Sequence, residues 1–240
     1  MKIGLGPISL ATVSRAELDE LATAAVAASF DSVWVAEDRA AGVGGAVAVA
    51  ALVAQVVPIR VGAVVDLSLY HPLYLAEDIA VADISTAGRL EVMFRPAARP
   101  EVVNEDLDVV ALALSGAHVQ WEGEELKIPA RLDANQPAPS RLALNPQPFQ
   151  PVVPIWVLDV VRAGFGVARG WNAAMTLGAA RIPDLVLCPA DVEADDLLAA
   201  AENRPAYFLV AATAAGEAEA LGRKLVGPLR MPEFPDWINA

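Results

Sequence analysis

Short apolar runs alternate with longer stretches of helical periodicity along most of the chain, as in folds built from βα units. The predicted strands are residues 3–10, 32–36, 59–65, 89–94, 153–158, 172–177, 184–188 and 206–211. Helical patterns cover residues 17–28, 46–57, 72–85, 192–202 and 214–225. Eight strands in 240 residues predict one (β/α)8 TIM-barrel domain spanning residues 1–240, and make the alternative, a doubly wound sheet, less favoured.

The segment between the fourth and fifth predicted strands, residues 96–154, interrupts this alternation. Residues 101–114 have a helical pattern, and residues 118–128 alternate as a hairpin does, with a turn at Glu122 and Gly123. Residues 133–154 are rich in Pro, Asn and Gln, which favours an extended loop. Because the βα alternation resumes afterwards, we interpret the segment as an insertion into the barrel of a helix, a hairpin and a Pro-rich loop.

The charge balance narrows the partners that we expect. Lys and Arg number 17 and Asp and Glu 30, so the formal charge is −13. Nucleic acids and anionic membranes both select basic surfaces, so we expect neither as a partner and favour a small-molecule ligand. The longest apolar stretch, residues 46–59, is interrupted by Gln55 and Pro58 and is too short to span a membrane. The N-terminus lacks a signal-peptide pattern, and the single cysteine allows no internal disulfide, which favours the cytoplasm.

Candidate chemistry lies at the carboxyl ends of the predicted strands, where barrel enzymes have their active sites. Glu37, Asp38 and Asp66 follow the second and third strands and are candidates for a general acid or base. The alternative is that they are solvated loop charges, or ion pairs with Arg39 or Arg95. Arg95 follows the fourth strand and is a candidate for holding a phosphate, although a structural ion pair is equally compatible.

Two further side chains have a structural and a functional interpretation. His71 precedes Pro72 at a predicted helix start, where a capping or packed histidine is favoured over a catalytic base. Cys188 ends an apolar strand, where a core residue is favoured over a nucleophile. The spacing of His, Cys, Asp and Glu resembles no metal site.

Four sequence blocks, in this order, resemble the bacterial luciferase-like flavin monooxygenases. They are residues 30–37 (Phe-Asp-Ser-Val-Trp-Val-Ala-Glu), 58–62 with 71–78, 84–91, and 146–156. The resemblance implies a TIM barrel, usually dimeric, that binds FMN or a deazaflavin coenzyme and oxidises a small organic substrate. It implies cofactor contacts by Gly6, Arg95 and Trp156, with Glu37, Asp38 and Asp66 as catalytic candidates. A homodimer, or a heterodimer with a related barrel, is the implied assembly.

The chain departs from that family at three places. Asp38 stands where the family usually has a histidine, and the end of the fourth strand has Met93 and Phe94 where the family usually has glycines. Asp159 stands where the family has residues that help to bind phosphate. These departures predict weaker flavin binding. They keep two alternatives open, namely a flavin-free barrel that serves as a non-catalytic subunit or binding protein, and a cofactor-independent enzyme that uses the emptied barrel mouth.

Overall fold

A computed structural model of the chain describes residues 1–95, 100–128, 142–162, 165–170, 184–189, 191–201 and 207–229. The strands are β1 (Lys2–Ser9), β2 (Ser32–Ala36), β3 (Arg60–Asp66), β4 (Leu90–Arg95), β5 (Trp121–Glu122), β6 (Lys127–Ile128), β7 (Ile155–Arg162), β8 (Phe165–Gly170), β9 (Leu185–Cys188) and β10 (Tyr207–Val210). The helices are α1 (Arg15–Ala27), α2 (Ala46–Val53), α3 (Pro72–Ser85), α4 (Pro100–Leu114), α5 (Ala194–Ala201), α6 (Ala215–Leu221) and α7 (Gly227–Leu229). A 3-10 turn covers Leu67–Leu69, and a π-helical turn covers Gly222–Val226.

The strands close into a barrel in the order β1-β10-β9-β8-β7-β4-β3-β2. All neighbouring strands pair in parallel except β8, which is antiparallel to both β7 and β9. The prediction of an α/β TIM barrel is therefore confirmed, with seven strands in one direction and one reversed.

The reversed strand corrects the prediction for the sixth position. The predicted sixth strand, residues 172–177, lies outside the described residues, and β8 occupies the sixth position in the barrel instead. Only residues 163–164 separate β7 from β8. A connection this short joins antiparallel strands, because a parallel crossover needs about a dozen residues or more. A hairpin therefore stands where the prediction places a βα unit.

The barrel strands bury both faces, as strands between a filled lumen and a helical layer must. In β2, Trp34 and Ala36 face the lumen, whereas Val33 and Val35 pack under the helices. Helix α1 begins at a capping box in which Ser14 accepts from the backbone N–H of Glu17 and the Glu17 side chain accepts from that of Ser14. No helix of the described residues is long and apolar enough to cross a membrane.

Three aromatic rings fill the centre of the lumen. Trp34, Trp156 and Tyr207 pack edge to face with ring centroids 5.9 to 6.2 Å apart. Gly62 makes room for them, because a Cβ at this position would lie 1.9 Å from the Trp34 ring. Met93 and Leu185 pack against the same cluster. The lumen is therefore a packed core at this level.

A buried polar network closes the amino end of the barrel. The Tyr207 hydroxyl donates to Glu91 at 2.8 Å and is hydrogen bonded to the Ser32 hydroxyl at 2.5 Å. Trp34 donates its indole N–H to both hydroxyls, at 3.0 and 3.1 Å. Arg60 pairs with the other oxygen of the Glu91 carboxylate. The network joins β2, β3, β4 and β10, so that strands from both ends of the chain share one set of hydrogen bonds.

The insertion has the predicted helix and hairpin. Helix α4 covers the helical pattern, and β5 and β6 pair antiparallel across a turn at residues 123–126. Residues 142–154 contain no helix or strand, as predicted for that part of the loop, and residues 129–141 lie outside the described residues. Gln150 anchors the end of the insertion, because its backbone and side-chain N–H groups both donate to Asp83 at 2.7 Å.

Candidate functional site at the carboxyl end of the barrel

The candidate site consists of the carboxyl ends of β2, β3 and β4 with the loops that follow the first two. It comprises residues 37–45, residues 66–70 and Arg95, and is called the mouth below. Backbone pairing brings these segments together, because Ala36 is in register with Val64 and Asp66 is in register with Arg95. The side chains of Glu37, Asp66 and Arg95 therefore belong to neighbouring positions of one rim, although they are far apart in sequence.

Glu37 is the most buried charged side chain of the mouth, with only 1% of its surface exposed. Its Oε1 accepts from the backbone N–H groups of Gly45 at 2.9 Å and Ala46 at 3.2 Å, and also from the Tyr70 hydroxyl. Its Oε2 accepts from the backbone N–H of Asp66 at 2.9 Å. Glu37 therefore fills the anion position at the N-terminus of α2 from within the chain.

Tyr70 is coupled to this carboxylate. Its hydroxyl donates to Glu37 and accepts from the Gly45 N–H at 2.9 Å. Burial and the hydrogen bond to Glu37 raise the pKa of Tyr70 to about 12. The phenol is therefore held as a neutral donor at physiological pH. Gly45 has φ of +85°, a backbone conformation that favours glycine, which lets the chain turn its N–H toward both oxygens.

Asp66 and Arg39 join the loops after β2 and β3. Asp66 Oδ1 accepts from the backbone N–H of Ser68 at 3.1 Å and from its hydroxyl at 2.6 Å, which caps the 3-10 turn. Arg39 donates to the Ser68 hydroxyl at 2.7 Å and lies 3.8 Å from Asp66 Oδ2. The Arg39 side chain is 59% exposed, so its guanidinium remains accessible to a ligand.

Asp38 is used within its own loop. Its carboxylate accepts from the backbone N–H of Ala41 at 3.1 Å, and its backbone pairs in both directions with Val43 at 2.9 Å. These bonds form a tight turn of the kind that aspartate favours. The partly exposed Asp38 carboxylate therefore differs from the buried Glu37 beside it in sequence.

The three residues assigned to cofactor contact lie at different depths. Arg95 is partly buried at the mouth and donates to the backbone carbonyl of Glu37 at 2.9 Å. Gly6 packs against β2, because a Cβ at this position would lie 2.5 Å from the carbonyl oxygen of Trp34. Trp156 lies in the aromatic cluster of the lumen with none of its surface exposed. Of these three, Arg95 alone is placed to present a charged donor at the mouth.

A closed apolar layer lies directly beneath the mouth. Ala36, Val64, Met93 and Trp156 are in register across four strands, and each is at most 2% exposed. Met93 faces the lumen, whereas Phe94 faces outward into the core between barrel and helices. Phe94 therefore stays outside the lumen, because successive strand residues face opposite sides. The side chain of Asp159 lies outside the described part of the structure.

His71 and Cys188 have structural surroundings. His71 Nδ1 accepts from the backbone N–H of Leu73 at 3.3 Å, and so caps α3, as the favoured interpretation predicts. Cys188 is buried in the core between barrel and helices, and burial raises the pKa of its thiol to about 12. A thiol with such a pKa is a poor nucleophile near neutral pH. The described residues contain no group of three or more His, Cys, Asp or Glu side chains suited to a metal ion.

The mouth suits an anionic ligand better than it suits acid–base catalysis by its carboxylates. Both oxygens of Glu37 and Oδ1 of Asp66 accept hydrogen bonds from backbone and hydroxyl donors of the protein, and Oδ2 of Asp66 lies 3.8 Å from Arg39. Arg39 and Arg95 present guanidinium groups, whose N–H forks match phosphate and carboxylate oxygens. Arg39 and Arg95 thus give the mouth two charged donors that match a phosphate, beside the carboxylates of Glu37, Asp38 and Asp66, and the apolar layer lies beneath them.

The hydrogen bond between Tyr70 and Glu37 is the feature of the mouth that the sequence does not predict. Tyr70 follows a short turn, and nothing in its spacing links it to Glu37, 33 positions earlier. The one available signal is its place directly before His71 and Pro72, at a helix start that follows the carboxyl end of a strand. Its contacts become visible only when β2 and β3 are paired.

Comparisons with known proteins support the fold. The coenzyme F420-dependent tetrahydromethanopterin reductase from Methanopyrus kandleri aligns with a TM-score of 0.51 and 18% identity, over 65% of this chain and 49% of the reductase. The oxygenating constituent of 3,6-diketocamphane monooxygenase from Pseudomonas putida, solved with FMN, aligns with a TM-score of 0.50 and 19% identity, over 65% of this chain and 51% of the monooxygenase. An F420-dependent secondary alcohol dehydrogenase, solved with an F420–acetone adduct, aligns with a TM-score of 0.52 and 18% identity, over 65% of this chain and 51% of the dehydrogenase.

These similarities are structural. No protein-family model matches the chain, and no curated protein matches it by sequence. The aligned part spans about half the length of each of these three structures. The barrel architecture is thus common to this chain and to F420- and FMN-dependent oxidoreductases, at identities that support the fold alone.

Proposed function

We propose that this protein is an oxidoreductase that binds FMN or a deazaflavin coenzyme at the mouth and acts on a small organic substrate, as luciferase-like monooxygenases do. The observation that carries the proposal is the placement of Arg39 and Arg95 on the rim. In a chain of net charge −13, two guanidinium groups held at the carboxyl end of a barrel form a local site for an anion. The architecture shared with FMN- and F420-dependent enzymes supports the choice of anion.

The chain's own residues have binding and positioning roles in this proposal. Arg95, anchored on the Glu37 carbonyl, and Arg39, anchored on Ser68, hold the phosphate arm of the coenzyme. The apolar layer beneath the mouth excludes water from the underside of the site. A bound flavin or deazaflavin supplies the hydride-transfer chemistry, which the protein side chains lack. Glu37 serves as an internal hydrogen-bond acceptor rather than as a base.

Removing one guanidinium tests this assignment. Arg95→Gln should weaken FMN binding about 10- to 100-fold, because a charge-assisted contact to phosphate is lost. The control is Arg223→Gln, which removes a guanidinium that is 75% exposed on the outer helical layer and should leave the affinity unchanged. Fluorescence titration of each protein with FMN and with coenzyme F420 gives the comparison. Equal affinities of the Arg95→Gln variant and the wild type would contradict the proposal.

A second candidate function is favoured by the apolar layer beneath the mouth and by the carboxylates of Glu37 and Asp66, which already accept hydrogen bonds from the protein itself. In this alternative the barrel holds no flavin and serves as a non-catalytic subunit or binding protein, or as a cofactor-independent enzyme that uses the mouth. Met93 and Trp156 have no exposed surface on which a ring could stack. A wild-type protein that binds neither FMN nor F420 would favour this alternative.

We also propose that the protein forms a homodimer through the outer faces of α2 and α3. Five of the eight large exposed apolar side chains in the described part of the chain lie on these two helices or just after α2, namely Leu52, Val56, Tyr74, Val81 and Ile84. Residues 46–57 contain no charged side chain, whereas α3 carries the exposed Glu77 and Asp78, so two copies of net charge −13 repel each other least at the α2 part of this face. Contiguous exposed apolar surface of this kind marks an interaction site.

A further inference from the structure

We propose that Tyr70 is a positioning residue of the mouth, whose hydroxyl, acting through Glu37, orients the two guanidinium groups that receive the ligand's phosphate. This inference rests on the proposed function, since it assigns the residue that arranges the same site. Tyr70 itself touches no ligand in this account. Its effect passes through the loop between β2 and α2, residues 37–45.

The first step is the way in which the Glu37 carboxylate is held. The contacts that fix it come from neutral groups, namely three backbone N–H groups and the Tyr70 hydroxyl. Within the described residues, no Lys, Arg or His side chain pairs with it. A buried carboxylate without a cation depends on each of its hydrogen bonds. The Tyr70 hydroxyl is the single side-chain donor among them, and so a substitution can remove it without changing the backbone.

The second step is the closure of the loop. The Tyr70 hydroxyl bonds to Glu37 at the loop's start and accepts from the Gly45 N–H at its end. The chain passes close to this hydroxyl, because a Cβ on Gly44 would lie 3.1 Å from it. One oxygen atom therefore joins both ends of the loop. Without it, Gly45 loses one of its two acceptors and Glu37 loses one of its four donors.

The third step connects the loop to the guanidinium groups. Arg95 donates to the backbone carbonyl of Glu37, so its position follows that of the loop's first residue. Arg39 lies two residues further on and donates to Ser68 in the turn that immediately precedes Tyr70. The backbone N–H of Tyr70 donates to Leu67 at 3.2 Å and closes that same turn. Tyr70 is therefore linked to the anchor of each guanidinium.

The test compares Tyr70→Phe with Tyr74→Phe. The control removes a hydroxyl four positions later, from a side chain that is 68% exposed, and keeps the Tyr74 ring on the proposed dimer face. No hydrogen bond of that hydroxyl occurs among the described residues. The first readout needs no ligand and is amide hydrogen exchange over residues 38–46 in the full-length protein. Tyr70→Phe should accelerate exchange in this segment about 10-fold, whereas Tyr74→Phe should leave it at the wild-type rate.

The second readout separates positioning of the guanidinium groups from general loss of structure. FMN and riboflavin share a ring, but only FMN carries the phosphate, so the ratio of their affinities measures the phosphate contact. Tyr70→Phe should lower FMN affinity about 10-fold and leave riboflavin affinity within about 2-fold, so that the preference for FMN over riboflavin is largely lost. If Tyr70→Phe does not fold, the isosteric Glu37→Gln takes its place. It should likewise accelerate amide exchange over residues 38–46 and reduce the preference for FMN over riboflavin.

Each outcome has one meaning. Faster exchange in the loop together with a loss of the FMN preference supports the inference. Unchanged exchange over residues 38–46 overturns it, and so does faster exchange with an intact FMN preference. A wild-type protein that binds neither FMN nor coenzyme F420 contradicts the proposed function, and the positioning role falls with it. A wild-type preference for FMN that survives Tyr70→Phe refutes the positioning role alone.

Discussion

At the scale of single residues, the carboxylates buried in the barrel serve its architecture. Glu37 at the carboxyl end ties a loop to the N-terminus of α2, and Glu91 at the amino end accepts from Arg60 and Tyr207. Glu91 lies within β4 and Glu37 directly follows β2, and both are buried, so that their charges persist only if their lone pairs are satisfied. Burial at such a position therefore indicates a fully bonded group as readily as a perturbed catalytic acid.

The free energy of unfolding at alkaline pH should depend on the ionisation of Tyr70. Its pKa in the folded state is about 12, above the ordinary value of 10.0, so the folded state holds this proton more tightly than the unfolded state does. The resulting stabilisation is complete below pH 10 and is lost as the pH rises toward 12. The free energy of unfolding of Tyr70→Phe should therefore approach that of the wild type between pH 9 and pH 11.5. Urea unfolding at both pH values checks this, and a constant difference would contradict it.

The Tyr207 hydroxyl should contribute to stability in addition to the packing of its ring. Tyr207→Phe removes the donor to Glu91 and the partner of Ser32 in a site without solvent access, at an expected cost of about 1–3 kcal/mol. Tyr74→Phe, at an exposed position, should change the free energy of unfolding by less than about 0.5 kcal/mol. Urea unfolding of the two variants gives the comparison. Equal stabilities would show that the network contributes nothing at this position.

At the scale of secondary-structure elements, Arg89 terminates two helices. Its guanidinium donates to the carbonyls of Ala54 and Val57 after α2, to that of Thr86 after α3 and to that of Ile59, at 2.6 to 3.0 Å. These carbonyls have no further helical turn to bond, so a cation at this position satisfies them. The contact fixes where both helices end against β4.

Replacing Arg89 should therefore loosen two helices at once. Arg89→Gln should lower the free energy of unfolding by roughly 2–3 kcal/mol, because a partly buried cation that donates to four carbonyls is lost. Arg15→Gln is the control, since Arg15 is exposed on α1 and pairs with Asp19 four residues away. Its cost should be at most about 0.5 kcal/mol. Denaturant unfolding monitored by circular dichroism distinguishes the two, and a similar small loss for both would contradict the capping role.

Local signals in the sequence predict most elements but not the reversed strand. The capping box at Ser14 and the uninterrupted apolar run of β2 are local features, and the structure has them where the sequence places them. The sequence does not predict the reversed strand β8, because the direction of a strand depends on the length of its connection rather than on its composition. Phe165–Gly170 follows β7 after two residues, and the alternation that predicts strands is the same for both directions.

The candidate site is predictable to the extent that strand ends are predictable. Glu37, Asp66 and Arg95 were found because they follow predicted strands, and the structure brings them to one rim. The sequence does not show which hydrogen bonds each side chain makes, since one of the donors to Glu37 is Tyr70, 33 positions further along the chain. For the same reason Gly6 and Trp156, which resemble cofactor contacts in sequence, lie in packing positions.

At the scale of the whole molecule, the exposed apolar face of α2 and α3 predicts the oligomeric state. The wild type should have about twice the chain mass of 25.1 kDa in solution. Leu52→Glu places a charge at the centre of this face and should yield monomers, whereas Leu198→Glu, at an equally exposed position on α5, should leave the dimer intact. Light scattering after size-exclusion chromatography measures both. A monomeric wild type at micromolar concentration would contradict the dimer.

The central claim, that the mouth binds the phosphate of a flavin coenzyme, is tested most directly by one equilibrium titration. Wild-type protein is titrated with FMN and followed by flavin fluorescence, with and without inorganic phosphate as competitor. We expect saturable binding of one FMN per chain, tighter than that of riboflavin and weakened by phosphate, because the guanidinium groups of Arg39 and Arg95 receive the anion. Binding that phosphate does not affect, or no saturable binding of FMN or of coenzyme F420 at millimolar concentration, would contradict it.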